Sequence, residues 1–178
     1  MRIIGGKWKG LAIPIDKKFK GRPTTDFARE GLMNTLHHLV DWEEAQVLDL
    51  FAGTGAFSLE AISRGATSAL ALDIQVHHVA HIQKVAKEWN IRELVATKAN
   101  SFEWIQKCTQ RFEVIFADPP YDHPQLTALP ELCWNSLKEN GILIVEHDKR
   151  IHFDLHPHFL KEKKYGNVHF TFFTKLAE

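Results

Sequence analysis

The tetrapeptide Asp118-Pro119-Pro120-Tyr121 concentrates the chemistry of this sequence. Two adjacent prolines fix the backbone and remove two N–H donors, so nearby carbonyls are left to accept hydrogen bonds from another molecule. A planar exocyclic amine suits that corner. The Asp118 carboxylate and the Pro119 carbonyl can each take one N–H hydrogen bond, draw density toward the nitrogen and aim its lone pair at an electrophilic carbon. Tyr121 offers a flat face for an unstacked base. The apolar run Phe112-Glu113-Val114-Ile115-Phe116-Ala117 leads into the tetrapeptide. That places it at the carboxyl edge of a sheet, where ligands of open α/β folds bind.

A second loop belongs with the first. Asp49-Leu50-Phe51-Ala52-Gly53-Thr54-Gly55-Ala56-Phe57 follows an apolar strand and opens a helix, where bare backbone and helix N–H groups face a ligand. The Lys and Ser/Thr of a phosphate loop are absent after Gly55. Ser58 stands where a dinucleotide fingerprint wants a third small residue, so that match is degenerate. Asp73, roughly 20 residues further on, can chelate the ribose hydroxyls of NAD or of S-adenosylmethionine alike. These residues specify an adenosine-bearing cofactor and leave the two open. Phe57 reads as core, and so does Phe51, although its place in the loop also makes it a candidate cofactor contact.

The elements that must position these loops alternate. Strands are expected at about 46–50, 68–72, 94–98, 113–117 and 141–146, with helices at about 55–64, 75–89, 101–109 and 124–138. This is an α/β chain with a mostly parallel sheet covered by helices. Two β-rich runs around Gly166-Asn167 predict an antiparallel C-terminal hairpin. At the other end, Arg2 to Pro14 places two apolar runs around a Gly-rich turn and predicts an N-terminal β-hairpin. After Pro23, Thr24, Thr25 or Asp26 can cap a helix carrying Leu32, Leu36, Leu39 and Val40. The expected organisation is one domain over residues 1–178: a basic hairpin and loop over 1–24, then a Rossmann-like catalytic core over 25–178.

Charge is distributed unevenly. The chain carries 22 Lys and Arg against 22 Asp and Glu, yet residues 1 to 29 hold eight basic groups with only Asp16 and Asp26 as acids. A basic arm on an acidic body fits a polyanionic partner held at one end. No apolar stretch approaches the roughly 20 residues of a membrane span, and no signal peptide is legible, so a cytoplasmic protein is expected. Cys108 and Cys133 lack metal or redox spacing. His77 with His81, and His152 with His156, have helical i, i+4 spacing but no third ligand in sequence, so no metal is expected.

Taken together, these motifs resemble a known family. Asp49 to Ala56 and Asp118 to Tyr121 are similar to the cofactor loop and amine-binding motif of class I methyltransferases acting on base amino groups. Ile3-Ile4-Gly5-Gly6-Lys7-Trp8-Lys9-Gly10, Arg22-Pro23-Thr24-Thr25-Asp26, Arg29-Glu30, Ser63-Arg64-Gly65-Ala66 and Lys164-Tyr165-Gly166 resemble the bacterial 16S ribosomal RNA guanine-N2 methyltransferase family RsmD. The resemblance implies a seven-stranded Rossmann-like fold with S-adenosylmethionine as donor. It implies a guanine in 16S rRNA of the small ribosomal subunit, or of an assembly intermediate, as acceptor; a monomer is expected. Its cofactor contacts would be Asp49, Phe51, Ala52, Gly53, Thr54, Gly55 and Asp73, with Asn100, Ser101 and Phe102 toward the adenine. Ser101 as a helix cap is the alternative for that last group. Asp118, Pro119, Pro120 and Tyr121 would form the catalytic corner. Arg2, Lys7, Lys9, Arg22, Thr24 and Arg29 are the expected RNA contacts.

Three positions depart from the family pattern: Phe27 where Arg is common, Gly31 where Ala is common, and Asp73 where Glu is common. The rival readings are a DNA adenine-N6 methyltransferase, a ribosome-assembly factor without catalysis, and a nicotinamide dehydrogenase.

Overall fold

The computed structural model describes residues 1–178. Its helices and strands begin where the local chemistry dictates. Pro23 keeps the chain extended, and the Thr25 side chain accepts from Ala28 N at 3.2 Å, so α1 runs over Asp26–His37 and buries Leu32, Met33 and Leu36. Short apolar strands then alternate with helices: β1 (Gln46–Asp49), α2 (Ala56–Ser63), β2 (Ser68–Asp73), α3 (Val76–Glu88), β3 (Leu94–Lys98), α4 (Ser101–Lys107), β4 (Phe112–Ala117), α5 (Leu129–Cys133), β5 (Leu137–His147), β6 (Phe159–Tyr165) and β7 (Val168–Thr174).

The strands form one seven-stranded sheet in the order β3-β2-β1-β4-β5-β7-β6. Strands β1 to β5 pair in parallel, and β7 inserts antiparallel between β5 and β6. Alternate side chains feed two cores. Val47, Val114, Phe116, Ile142 and Ile144 face the N-terminal segment and helices α1 to α3. Leu48, Ile115, Leu143 and Val145 face α4 and α5. Winding reverses between β1 and β4, and both loops singled out in the sequence leave the sheet beside that switch point.

One expectation is narrowed and one corrected. The N-terminal hairpin is short: an antiparallel bridge joins Arg2 and Ala12, and Ile3 N, Gly10 N and Ile13 N donate to the Leu11, Ile3 and Met1 carbonyls at 2.9, 2.8 and 3.0 Å. Its turn instead docks on α2: Ile4 N and Gly5 N reach the Glu60 carboxylate at 2.9 and 2.8 Å, and Lys7 N reaches the Ser63 carbonyl at 2.9 Å. Gly6 has φ 78°, and a Cβ there would lie 1.9 Å from Ser63 O, so only glycine lets this segment lie on α2. The expected helix over 124–138 is instead the short α5 between 3-10 turns at Leu126–Ala128 and Trp134–Ser136. Pro130 has no N–H to continue a helix begun upstream, so the helix starts afresh at Leu129. Strand β5 begins at Leu137, earlier than the apolar run suggested.

Candidate active site

The cofactor side is built on glycine and carboxylates. Gly53 and Gly55 have φ of 54° and 79°, and a Cβ on Gly55 would sit 2.8 Å from Ile82. The Gly53 amide donates to Asp73 Oδ2 at 2.8 Å, while Asp73 Oδ1 accepts from Gln75 N at 2.8 Å and lies 3.1 Å from His78 Nδ1. Asp73 therefore ties the β1–α2 loop to the start of α3. Ala52 N is held by the Leu72 carbonyl at 2.8 Å. Thr54 is buried behind the loop, with its hydroxyl 3.4 Å from Ala56 N.

Asp49 lies one strand over, fully enclosed. Its Oδ2 accepts from Ser58 Oγ at 2.8 Å, and its Oδ1 is buried without a partner. Burial, partly offset by the Ser58 hydrogen bond, pushes its pKa up to about 7. An unpartnered buried acceptor beside the half-buried Gly53 backbone fits the ammonium of an aminoacyl cofactor. Toward the adenine end the roles of two residues are exchanged. Asn100, not Ser101, caps α4, its side chain accepting from Glu103 N at 3.4 Å. Ser101 Oγ donates to the Leu50 carbonyl. Phe102 is buried, tilts against Phe51 at 5.4 Å and stacks on His123 at 4.0 Å with planes 12° apart.

The acceptor side holds a residue that sequence reasoning missed. Glu146, at the end of β5, is only 3% exposed. It accepts from Tyr121 OH at 2.6 Å through Oε1 and from Thr24 Oγ1 at 3.1 Å through Oε2. Asp118 lies against the same carboxyl group. Burial first, then the neighbouring Glu146, push the Asp118 carboxyl well above its usual range. Burial likewise raises Glu146, against the Tyr121 and Thr24 hydrogen bonds that lower it. Burial and Glu146 together drive the Tyr121 phenol far up, so it stays a donor. Pro119 is buried and Pro120 exposed. The signal for Glu146 in the sequence is an acid interrupting an apolar run at the carboxyl end of a strand, the position that Asp118 occupies after β4.

Both sides open on one cleft of about 710 Å³, walled by Phe51, Gly53, Asp73, Asn100, Ser101, Phe102, Asp118, Pro119, Pro120, Tyr121 and Glu146. The segment before α1 closes it. Phe19 lies above Gly53 and 4.9 Å, centroid to centroid, from His78, and Arg22 lines the same cleft. Arg2, Lys7, Lys9 and Arg22 are exposed, Lys7 lying over the Trp8 ring at 4.2 Å. Thr24 is on the cleft wall through its bond to Glu146.

Arg29 is a correction. Its side chain is 5% exposed, and NH2 donates to the Arg2 carbonyl at 2.6 Å and to Asp26 at 2.7 Å, while NH1 lies 3.7 Å from Glu60. A guanidinium enclosed to balance a buried carboxylate is not presented to a phosphate. The paired histidines also serve local packing: His81 Nε2 meets the Pro14 carbonyl at 2.9 Å and His156 Nε2 meets Glu131 at 2.9 Å. His147, Glu162 and His169 cluster on β5, β6 and β7, where Thr171 lies 2.7 Å from His147 and Glu162 lies 2.8 Å from His169.

This constellation can be set beside known proteins. The family profile described as Conserved hypothetical protein 95 matches residues 1–174. The chain belongs to that family. A ribosomal RNA small subunit methyltransferase D of Buchnera aphidicola subsp. Baizongia pistaciae is 30% identical over 97% of this chain and 91% of its own length. The protein of the same name from Escherichia coli K12 is 33% identical over 82% of this chain and 71% of its own. A solved structure, described as a putative methyltransferase from Escherichia coli, superposes with a TM-score of 0.85 at 28% identity, covering 100% of this chain and 99% of that one. The Conserved hypothetical protein 95 fold is thus the class I methyltransferase fold, and the likeness to RsmD drawn from the motifs is borne out.

Proposed function

We propose that this protein uses S-adenosylmethionine to methylate the exocyclic N2 amine of a guanine in 16S rRNA of the small ribosomal subunit. The observation that carries the reading is a single cleft in which the Asp118–Tyr121 corner faces the Gly53–Gly55 loop. The relatives named for small-subunit rRNA methylation support the acceptor class. When bound, S-adenosylmethionine supplies an electrophilic methyl on a sulfonium leaving group.

The chain's own residues do the rest. Asp49 Oδ1 is the unpartnered acceptor for the cofactor's ammonium, and Asp73 and the Gly53 backbone hold its ribose side. Phe51, Phe102 and Phe19 supply apolar walls. At the opposite wall, the Pro119 carbonyl and an Asp118 oxygen accept the two amine hydrogens, which aims the nitrogen lone pair at the methyl carbon. Tyr121 supports the flipped base. The exposed Arg2, Lys7, Lys9 and Arg22 bind flanking phosphates, and a monomer working in the cytoplasm on the subunit or its assembly intermediate is the expected state.

The test is transfer of labelled methyl to small subunits from cells lacking the enzyme, followed by nucleoside identification. N2-methylguanosine as product supports the reading. N6-methyladenosine as sole product overturns the guanine assignment, and particle binding without transfer favours an assembly factor.

A further inference from the structure

The mechanism so far leaves a buried acid unused. Glu146 lies beside Asp118, is almost wholly enclosed, and forms no ion pair; neither does Asp118. Glu146 is enclosed and Asp118 half-buried beside it, so two adjacent negative charges without a cation repel and the pair favours sharing one proton. The surroundings decide where the charge sits. Tyr121 OH and Thr24 Oγ1 both donate to Glu146, and donors favour the ionised form of the group they address. Asp118 receives no such donor and has the Asp49 carboxyl as a second acidic neighbour, so the shared proton resides on Asp118 and points at Glu146.

We propose that Asp118 works as a neutral carboxyl and that Glu146, held as the anion by Tyr121 and Thr24, is the positioning residue that receives the reaction's proton through it. The bond between the target nitrogen and the methyl carbon forms as the sulfur–carbon bond breaks, its electron pair staying on sulfur. The nitrogen, now carrying one proton too many, passes it to the free oxygen of Asp118. Asp118 gives its original proton to Glu146, which ends neutral and later loses that proton to water. No other reactant is required. Glu146 also sets geometry, because one carboxyl links the base-supporting Tyr121, the amine-binding Asp118 and Thr24 at the start of the basic arm's last turn into α1. Part of this rests on the amine-methylation reading; the charge arrangement does not.

The experiment separates the two. In protein labelled with ¹³C at the carboxyls of Asp and Glu, the Asp118 resonance is followed against pH, assigned with D118N. In the wild type it is expected to remain that of a carboxylic acid through pH 7. In Glu146→Gln, which keeps an acceptor for Tyr121 but removes the neighbouring charge, Asp118 is expected to ionise at lower pH. Turnover of that variant should fall about 100-fold, with KM for RNA and cofactor affinity nearly unchanged. A merely structural Glu146 would lower stability while leaving turnover of the folded variant near that of the wild type, which would overturn the proton-receiving role. If Glu146→Gln does not fold, Thr24→Val reads the same coupling, with Glu146 expected to ionise at higher pH once one donor is gone. An Asp118 already ionised at pH 7 in the wild type, or a titration indifferent to these substitutions, overturns the proposal. Methylation of some other base would overturn only the function reading.

Discussion

A Cβ placed on Gly31 would lie 2.1 Å from Cζ of Tyr165. The absence of a side chain on α1 is therefore what lets the end of β6 press onto it, with Phe27 edge-on to the same ring at 5.6 Å. Two of the departures from the family pattern thus meet at one tyrosine. Gly31→Ala gains roughly 1 kcal/mol of helix propensity but drives the Tyr165 ring off α1, at a cost of about 1–3 kcal/mol. The variant is expected to be destabilised in the wild-type background and stabilised when Tyr165 is also alanine. Urea unfolding of the four members of that cycle checks the sign reversal.

Arg22 and Arg29 sit in the same basic arm and have opposite fates. Arg29→Ala leaves Glu60, which is 0% exposed, with Arg64 at 3.0 Å as its one remaining cation and removes the bonds to Arg2 O and Asp26, and should lower stability by about 3 kcal/mol. Arg22→Ala should leave the melting temperature in place, weaken RNA binding and reduce the salt slope of that binding by about one unit. Thermal unfolding and filter binding at several salt concentrations distinguish the two.

Asp49 gives a pH signature. Its folded pKa of about 7 lies above the value of 3.8 for an exposed group, so between those limits the folded state binds more protons than the unfolded one. The stability it contributes is complete below about pH 4 and is lost as pH rises through 7, at up to roughly 1 kcal/mol per pH unit. Asp49→Asn should flatten that part of the curve. A cofactor ammonium favours the ionised form, so binding at pH 6 should release a proton, visible as a buffer-dependent heat in calorimetry. Equal heats in buffers of different ionisation enthalpy would contradict this role.

Phe19 reaches over the cofactor loop from a segment otherwise rich in lysine. Removing its ring in Phe19→Ala should weaken cofactor binding several-fold, from loss of about 1 kcal/mol of aromatic contact, while leaving the unfolding midpoint nearly unchanged. Calorimetric titration with S-adenosylmethionine measures it.

What could be read from the sequence was what is written locally. Val47-Leu48, Val114-Ile115 and Ile142-Leu143 announce buried strands through their runs, Gly53 and Gly55 announce the left-handed backbone that glycine favours, and the Pro119-Pro120 pair announces a fixed, donor-poor corner. What was hidden depends on partners far along the chain. Glu146 meets Thr24 across 122 positions and Tyr121 across 25, and although it interrupts an apolar run, nothing near it names those partners. Arg22 and Arg29 are one residue type in one charged stretch, and only the fold reveals that Glu60 claims the second. The N-terminal hairpin stays short for the same reason: the Ile4 and Gly5 amides of its turn bond to a helix 55 or 56 residues downstream.

The anchoring of that first segment on Glu60 and Ser63 also bears on how the protein is made. The arm is synthesised first, yet the helix that receives it is translated some 55 residues later, and the arginine that helps neutralise the receiving carboxylate lies between the two. During translation the amino-terminal stretch therefore has nowhere to dock, and it settles only after the nascent chain has delivered α2. Maturation of this basic surface is in this way one of the later events of folding, although it is the earliest part of the message to be read.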